Sequence, residues 1–329
     1  MNDAVIVSGA RTPVGRFGGA FKDVSAPDLG AIAIKAAIER AGISPDMVDE
    51  VVLGNAIQAA EAGYAARLAS LKSGIPHETP TIAVNRQCSS GLEAINMAAQ
   101  LVRTGEAEIV VAGGTENMSQ VPFLIEYRAR FDGLRMGNSQ LVDGLTEGLG
   151  CPVNRYHMGV TAENVAERFS VSRSDQDELA LISHHRASSA ITQGRFSDQI
   201  TEVSVPQRRG DAVIVTEDEG PRADTTIEGL ANLRPVFKKD GTVTAGNASS
   251  INDGSAAVVM MSATKAADLG LKPRMKWHTR GIAGVEPAVM GTGPVPAVEK
   301  AMKKSGMSVD DIDVIELNEA FASQALYCT

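Results

Sequence analysis

AIKAAIERAGISPDMVDEVVLGNA, residues 33–56, decides the fold, because the chain contains it twice. AVEKAMKKSGMSVDDIDVIELNEA, residues 297–320, aligns to it without a gap at an offset of 297 − 33 = 264. Eight of the 24 positions are identical: Ala33/Ala297, Ala37/Ala301, Gly42/Gly306, Ser44/Ser308, Asp46/Asp310, Asp49/Asp313, Leu53/Leu317 and Ala56/Ala320. Each copy carries the same signals in the same order: a helix-like run, a glycine stop, a Ser/Asp turn into a short helix, and a buried strand. Any helix-glycine-strand unit explains a general likeness. A gapless match through helix, turn and strand favours duplication of an α/β unit.

Around the first copy, the strand-like runs AVIVSG, TIAVN and EIVVAGG alternate with DLGAIAIKAAIERAG and GLEAINMAAQLVRTG, the order of an α/β fold with a buried sheet. The pattern degrades near 119–140. Helices (TAENVAERF, SDQDELALISHHRASSAITQG) then mix with turn-rich stretches to about 249, as in an inserted subdomain, before GSAAVVMMS resumes the earlier style. With 329 residues, 43% apolar and 22% charged, the chain can bury a core in about two domains. Its net charge of −9 is spread along the sequence, and no basic tract with interleaved aromatics marks a nucleic-acid surface. Arg208, Arg209, Lys238 and Lys239 are expected to be solvated or to attract an anionic substrate, and GRFGG lacks the strand-helix setting of a dinucleotide motif. The start MNDAVIVSGARTP has no secretion signal and no run approaches the ~18 apolar residues of a membrane span, so a cytoplasmic protein is expected. Three cysteines at wide spacings argue against a disulfide framework or a metal site.

AVNRQCSSGLEAINMAAQ, residues 83–100, sets Cys88 between a strand and a helix that closes at Gly105. A helix N-terminus has unpaired N–H groups and a dipole that favour an anion, and both suit a sulfur nucleophile and a developing oxyanion. Cysteines are more often buried fillers. Here two serines and a glycine follow at once, on a turn where a filler would be unusual. Cys151 and Cys328 lack this setting and are read as structural. By the repeat offset, the counterpart of Cys88 falls at 88 + 264 = 352, past Thr329.

NRQCSSGLEAI, YHMGVTAENVAERF, TAGNASSINDGSAA, MGTGPVPA and ELNEAFASQALYC occur in the order and approximate spacing of the thiolases, and the chain resembles that family over essentially its whole length. The resemblance implies a thiolase-like α/β fold of five alternating layers (α-β-α-β-α) built from two duplicated halves, the second truncated. Residues 1–118 and 250–271 would form the N-terminal half with the nucleophile. Residues 119–249 would be an inserted loop domain covering the coenzyme A site, and 272–329 the start of an incomplete C-terminal half.

The implied activity is that of an acetyl-CoA C-acyltransferase or acetyltransferase, moving an acyl group between 3-ketoacyl-CoA or acetyl-CoA and CoA through an acyl-cysteine. Cys88 matches the nucleophile. Asn318, in NEAF, matches a residue that holds a water in one oxyanion site; its counterpart in the first copy is Gly54, so the repeated scaffold does not itself demand an amide. Phe321 is expected to line the same pocket. Arg222, counted back from LRP at 233–235, matches an arginine at the nucleotide end of CoA, and Ser249 a serine at the pantetheine chain. His157, Met158 and Met290 match residues around the acyl and pantetheine end. Ser250 stands where the family commonly has glycine. CoA and acetyl-CoA enter as substrates, with no cofactor and no metal implied. A homodimer or homotetramer in fatty acid metabolism is expected, and NRQCSSGL and VTAENVAERF lean toward the 3-ketoacyl-CoA type.

Two family segments, Gly-His-Pro with the activating histidine and Cys-x-Gly-Gly-Gly with a second cysteine, would fall beyond Thr329, and none of the five histidines present lies in such a segment. The 329 residues alone are therefore expected to be weak or inactive, with the remainder lost or supplied by a separate polypeptide. The alternative is a non-catalytic CoA- or acyl-CoA-binding subunit, against which the retention of Cys88, Asn318, Ser249 and Arg222 counts.

Overall fold

The computed structural model describes residues 2–134 and 136–329, which form two compact units. The first comprises residues 1–148, 196–220 and 251–277; the second comprises 149–195, 221–250 and 278–329.

The first unit is built on a mixed sheet of β1 (Ala4–Arg11), β2 (Glu50–Gly54), β3 (Thr81–Val84), β4 (Ile109–Asn117) and β5 (Asn252–Ser262). The spatial order is β1-β5-β4-β2-β3, with the two-residue strand Met275–Lys276 beyond β1. β5 runs antiparallel to β1 and β4, while β2 runs parallel to both β4 and β3. Helices α1 (Ala26–Ala41) and α2 (Ala65–Lys72) cover one face and α3 (Ser90–Thr104) the other. Successive residues of a strand point to opposite faces, and both faces are buried. Val51, Leu53, Val111, Val259 and Met261 pack with α1, whereas Val52, Val110, Ala112 and Met260 pack with Ala94, Ala98 and Val102 of α3. This explains why the strands read as continuous apolar runs.

The local signals of the first repeat copy act as expected, with Gly42 ending α1 at φ 69°. Upstream of the copy, Ser25 caps the helix by accepting the Asp28 N–H. A 3-10 turn, Pro45–Met47, then leads into β2. Helix α3 closes at Gly105, at φ 80°.

The second unit contains α4 (Met158–Arg168), α5 (Arg173–Thr192), α6 (Pro294–Ser305) and α7 (Ala322–Cys328). It also holds the second repeat copy, which repeats the geometry of the first up to a point. Helix α6 ends at Gly306 with φ 73°, and Ser308 and Asp311 form a reciprocal capping box on the 3-10 turn Val309–Asp311. The expected buried strand after it does not form. Residues 313–317 have no ladder partner among the described residues, and Val314 and Ile315 are 74% and 65% exposed. An apolar run becomes a strand only when neighbours pair its backbone.

The stretch 119–249 contributes to both units rather than forming a body of its own. Its part near 119–140 exposes Phe123, Tyr127 and Phe131; Arg135 lies outside the described residues. No described helix is long and apolar enough to cross a membrane.

Candidate active site

Cys88 belongs to the first unit, and Asn318, Phe321, Arg222, Ser249, His157, Met158 and Met290 to the second. The cysteine is exposed, on a turn that carries the chain from β3 into α3. That turn is tightly bound. Asn85 Oδ1 accepts the Gln87 N–H at 2.9 Å, and Ser90 Oγ accepts the Arg86 N–H at 2.8 Å while donating to the Gln87 carbonyl. Ser89 Oγ donates to the Arg86 carbonyl at 2.9 Å. Arg86 also pairs with Glu93 on the first turn of α3, at 3.4 Å.

These bonds hold Gln87 at φ 49°, a left-handed conformation that costs a non-glycine residue about 1–3 kcal/mol and persists only where its surroundings enforce it. The two serines and the asparagine around Cys88 thus act as clamps. They correct one expectation. The N–H groups of Ser89 and Ser90 are engaged by the carbonyls of Arg86 and Gln87, at 3.2 and 3.0 Å, so the helix start is less rich in unpaired donors than the sequence implied. The reason is that a left-handed residue folds the chain back far enough for the turn to bond to itself.

Glycine brings α3 down onto the sheet. A Cβ at Gly54 would lie 2.4 Å from the Ser90 carbonyl carbon and 2.6 Å from the Gly91 nitrogen. Gly54 is thus a close-approach position, and the residue that aligns with it, Asn318, faces no such demand.

In the second unit the structure joins two of the expected residues, His157 and Phe321, through one aromatic stack. His157 is the N-cap of α4, its Nδ1 accepting the Gly159 N–H at 3.0 Å, and burial pushes its pKa down. With Nδ1 as acceptor, the neutral ring carries its proton on Nε2. The imidazole stacks on Phe237, with centroids 4.8 Å apart and planes 13° apart, and Phe237 meets Phe321 edge-on at 6.2 Å and 84°. Gly159 permits this, since a Cβ there would fall 2.2 Å from the Phe237 ring.

Phe321 is held by a short antiparallel pairing. Ser249 N–H donates to the Ala320 carbonyl and Ala322 N–H to the Asn247 carbonyl, both at 2.9 Å, with a bridge between Ala248 and Phe321. Ser249 therefore sits beside Phe321, exposed, with its hydroxyl on the Ser250 carbonyl. Buried Asn247 pins this segment through Asp177 on α5, at 2.8 Å. Helix α7 then docks on α4 through Ser323 Oγ and the Ala162 carbonyl.

Met158 opens α4, and half-buried Met290 lies on a 3-10 segment, Pro287–Thr292, fastened to α4 by Asn164 Nδ2 and the Ala288 carbonyl at 2.9 Å. Arg222 and Asn318 are exposed and are held from α5 instead. The Arg222 N–H donates to His184 Nδ1 at 3.2 Å, and Ser183 Oγ donates to Glu319, next to Asn318, at 2.7 Å.

Sequence reasoning passed over Phe237 and His184. Phe237 had a signal, as one of eight phenylalanines in a chain only 4% aromatic, lying between two motif stretches. His184 had none, because its partner Arg222 is 38 residues away.

Lys238, expected to be solvated or to attract an anionic substrate, stays partly exposed and pairs at the surface with Glu167 at 3.0 Å. Cys151 is buried and Cys328 half-buried, with burial pushing the Cys328 thiol up; all three cysteines are free. Among the described residues, no group of three or more His, Cys, Asp or Glu side chains is arranged to hold a metal.

Comparison with known proteins agrees with the motifs. Residues 4–264 match the family description "Thiolase, N-terminal domain", and residues 271–329 match "Thiolase, C-terminal domain". A probable acetyl-CoA acyltransferase of Staphylococcus aureus strain N315 is 49% identical over 327 residues, 99% of this chain and 83% of that protein. The crystal structure of the Bacillus anthracis acetyl-CoA acetyltransferase superposes with a TM-score of 0.97 at 44% identity, covering 100% of this chain and 82% of that one. Human mitochondrial 3-ketoacyl-CoA thiolase in complex with CoA superposes with a TM-score of 0.94 at 41% identity, over 99% and 82% of the two chains. The expected inactivity of the chain and the non-catalytic alternative draw no support from these matches.

Proposed function

The chain belongs to the thiolase family and is an acyltransferase, and from that premise we propose that Cys88 carries the acyl group between coenzyme A thioesters. In the acetylation half-reaction the sulfur attacks the thioester carbonyl. The new S–C bond forms at Cys88, the bond to the CoA sulfur breaks, and the thiol proton of Cys88 ends on the departing CoA. With a 3-ketoacyl-CoA the bond broken is instead carbon–carbon, and the proton ends on the acetyl-CoA carbanion. A thioester intermediate divides one difficult step into two easier ones.

The observation that carries this reading is the Cys88 turn. An exposed sulfur sits one residue before the cap of α3, beside a backbone held at φ 49° by Asn85 and Ser90. Residues outside their preferred conformation persist where position matters more than stability.

In the second unit we assign the ligand grip. The His157–Phe237–Phe321 stack, with Met158 and Met290, offers an apolar wall for pantetheine and the acyl chain, and Ser249 a polar contact beside it. Arg222 supplies a cation for the CoA phosphates and Asn318 an amide for an oxyanion. We further place the enzyme in fatty acid metabolism, as a cytoplasmic homodimer or homotetramer, which light scattering on the purified protein checks.

Intact-mass measurement after incubation with acetyl-CoA tests the central claim. The protein should gain one acetyl group, and the Cys88→Ala variant none. An unmodified wild type, or an equally modified variant, overturns the assignment.

A further inference from the structure

Beneath the Cys88 turn lies a carboxylate that the reaction just described does not use. Glu116, near the end of β4, accepts the N–H groups of Ala56 and Ile57 on Oε2, at 2.7 and 3.3 Å, and the Asn55 amide on Oε1 at 3.0 Å. The first three residues after β2, Asn55, Ala56 and Ile57, are thereby wrapped onto one side chain. The Asn55 amide nitrogen also donates to the Thr115 carbonyl at 2.9 Å, while its buried Oδ1 accepts from no donor among the described residues. An orphaned buried oxygen is costly, and its retention says that the two donations matter.

The bonds continue toward the sulfur. The Ala56 carbonyl accepts Asn85 Nδ2 at 2.8 Å, and Asn85 Oδ1 accepts the Gln87 N–H at 2.9 Å. Gln87 is the left-handed residue immediately before Cys88. The path runs Glu116, Ala56, Asn85, Gln87, Cys88, with a hydrogen bond at each step outside the chain itself, all within the first unit.

We infer that Glu116 is a positioning residue for the acyl-transfer reaction, holding the 55–57 turn so that the Asn85 amide fixes the backbone that aims Cys88. A carboxylate suits the task because three donors converge on it and it has only acceptor sites, whereas a glutamine would point an N–H at one of them. Burial and the charge of Asp253 push the Glu116 pKa up, and the bonds from Ala56, Ile57 and Asn55 oppose them. Burial outweighs these bonds, so the net direction is upward, and the bonds lessen the cost of keeping the carboxyl ionised there.

The inference rests on Cys88 as nucleophile, and its test separates the two claims. Glu116→Gln should slow acetylation of Cys88 by acetyl-CoA about 10–100-fold, the scale of a misplaced reacting atom, with the KM for acetyl-CoA unchanged. Alkylation by iodoacetamide, which demands little orientation, should stay within about twofold. Asn85→Ala should slow acetylation by a similar factor, and the double variant should be no slower than the worse single one, as for two links of one path. Amide hydrogen exchange over 84–92 should quicken in Glu116→Gln while 95–104 stays protected. Wild-type acetylation rates in Glu116→Gln, additive losses in the double variant, or unchanged exchange over 84–92 would each overturn the positioning role. Should the wild type itself resist acetylation, the nucleophile assignment fails, and the exchange experiment still decides whether Glu116 orders the turn. If Glu116→Gln does not fold, Asn85→Ala carries the same acetylation, alkylation and exchange measurements alone.

Discussion

Residues 33–56 and 297–320 began as one sequence pattern and end as two different structures. Through the helix, the left-handed glycine and the 3-10 turn they agree, with Gly42 and Gly306 at φ 69° and 73° and the turns spanning Pro45–Met47 and Val309–Asp311. Beyond that they part. Glu50–Gly54 lies paired between two parallel neighbours, while 313–317 has no ladder partner among the described residues and leaves Val314 and Ile315 exposed. The agreement covers features that a few consecutive residues enforce through capping and backbone preference, and the difference begins where partners distant in sequence are needed.

Exchanging the residues at the divergent end should break the comparison most sharply. Gly54→Asn puts a side chain into the Ser90–Gly91 backbone, which cannot yield as a side-chain tip would. It should cost about 3 kcal/mol by denaturant unfolding and abolish acetylation of Cys88. The reverse change, Asn318→Gly, lies at an exposed position and should move stability by less than about 0.5 kcal/mol. If the amide serves an oxyanion, the same change should lower kcat about 10²–10³-fold. Equal effects on stability from the two exchanges would show that the aligned positions do the same job.

At the convergent end, Gly42→Ala and Gly306→Ala should cost about 1 kcal/mol each, because an added Cβ meets nothing within 4 Å at either site and only the left-handed backbone resists it. Unequal losses in denaturant midpoint would mean that the copies differ already at the helix stop.

The smallest expected effect concerns His157, which has no counterpart in the repeat. Burial holds its pKa below the ordinary histidine value, so the folded state favours the neutral ring. Its contribution to stability is complete above about pH 6.5 and is lost as pH falls through the depressed value, when Nδ1 can no longer accept from Gly159. The Tm of the wild type should decline over that acidic window more steeply than that of His157→Asn, which keeps an N-cap acceptor at every pH. Parallel curves would remove His157 as the titrating group.

Much of the candidate site was legible residue by residue. Cys88 on a strand-to-helix turn followed from TIAVN and SSGL, and the helix stop at Gly105 from its glycine. The clamps were not, although Asn85, Ser89 and Ser90 stood in plain view, because a hydroxyl's partner depends on a backbone angle that no motif printed. The strand expected in the second copy failed for the opposite reason. DVIEL has the composition of a strand and lacks only the neighbours.

By itself the sequence showed the helix stops at Gly42, Gly105 and Gly306, the order of the apolar runs, the repeat and the strand-to-helix setting of Cys88, all of which can be read over short stretches of chain. Tertiary structure alone decided that Gly54 admits α3, that Phe237 joins His157 to Phe321, and that Glu116 reaches the Cys88 turn through Ala56 and Asn85. Those contacts span from 29 residues, Ala56 to Asn85, to 84, Phe237 to Phe321, and close packing and buried hydrogen bonds exist only once distant segments share the same space.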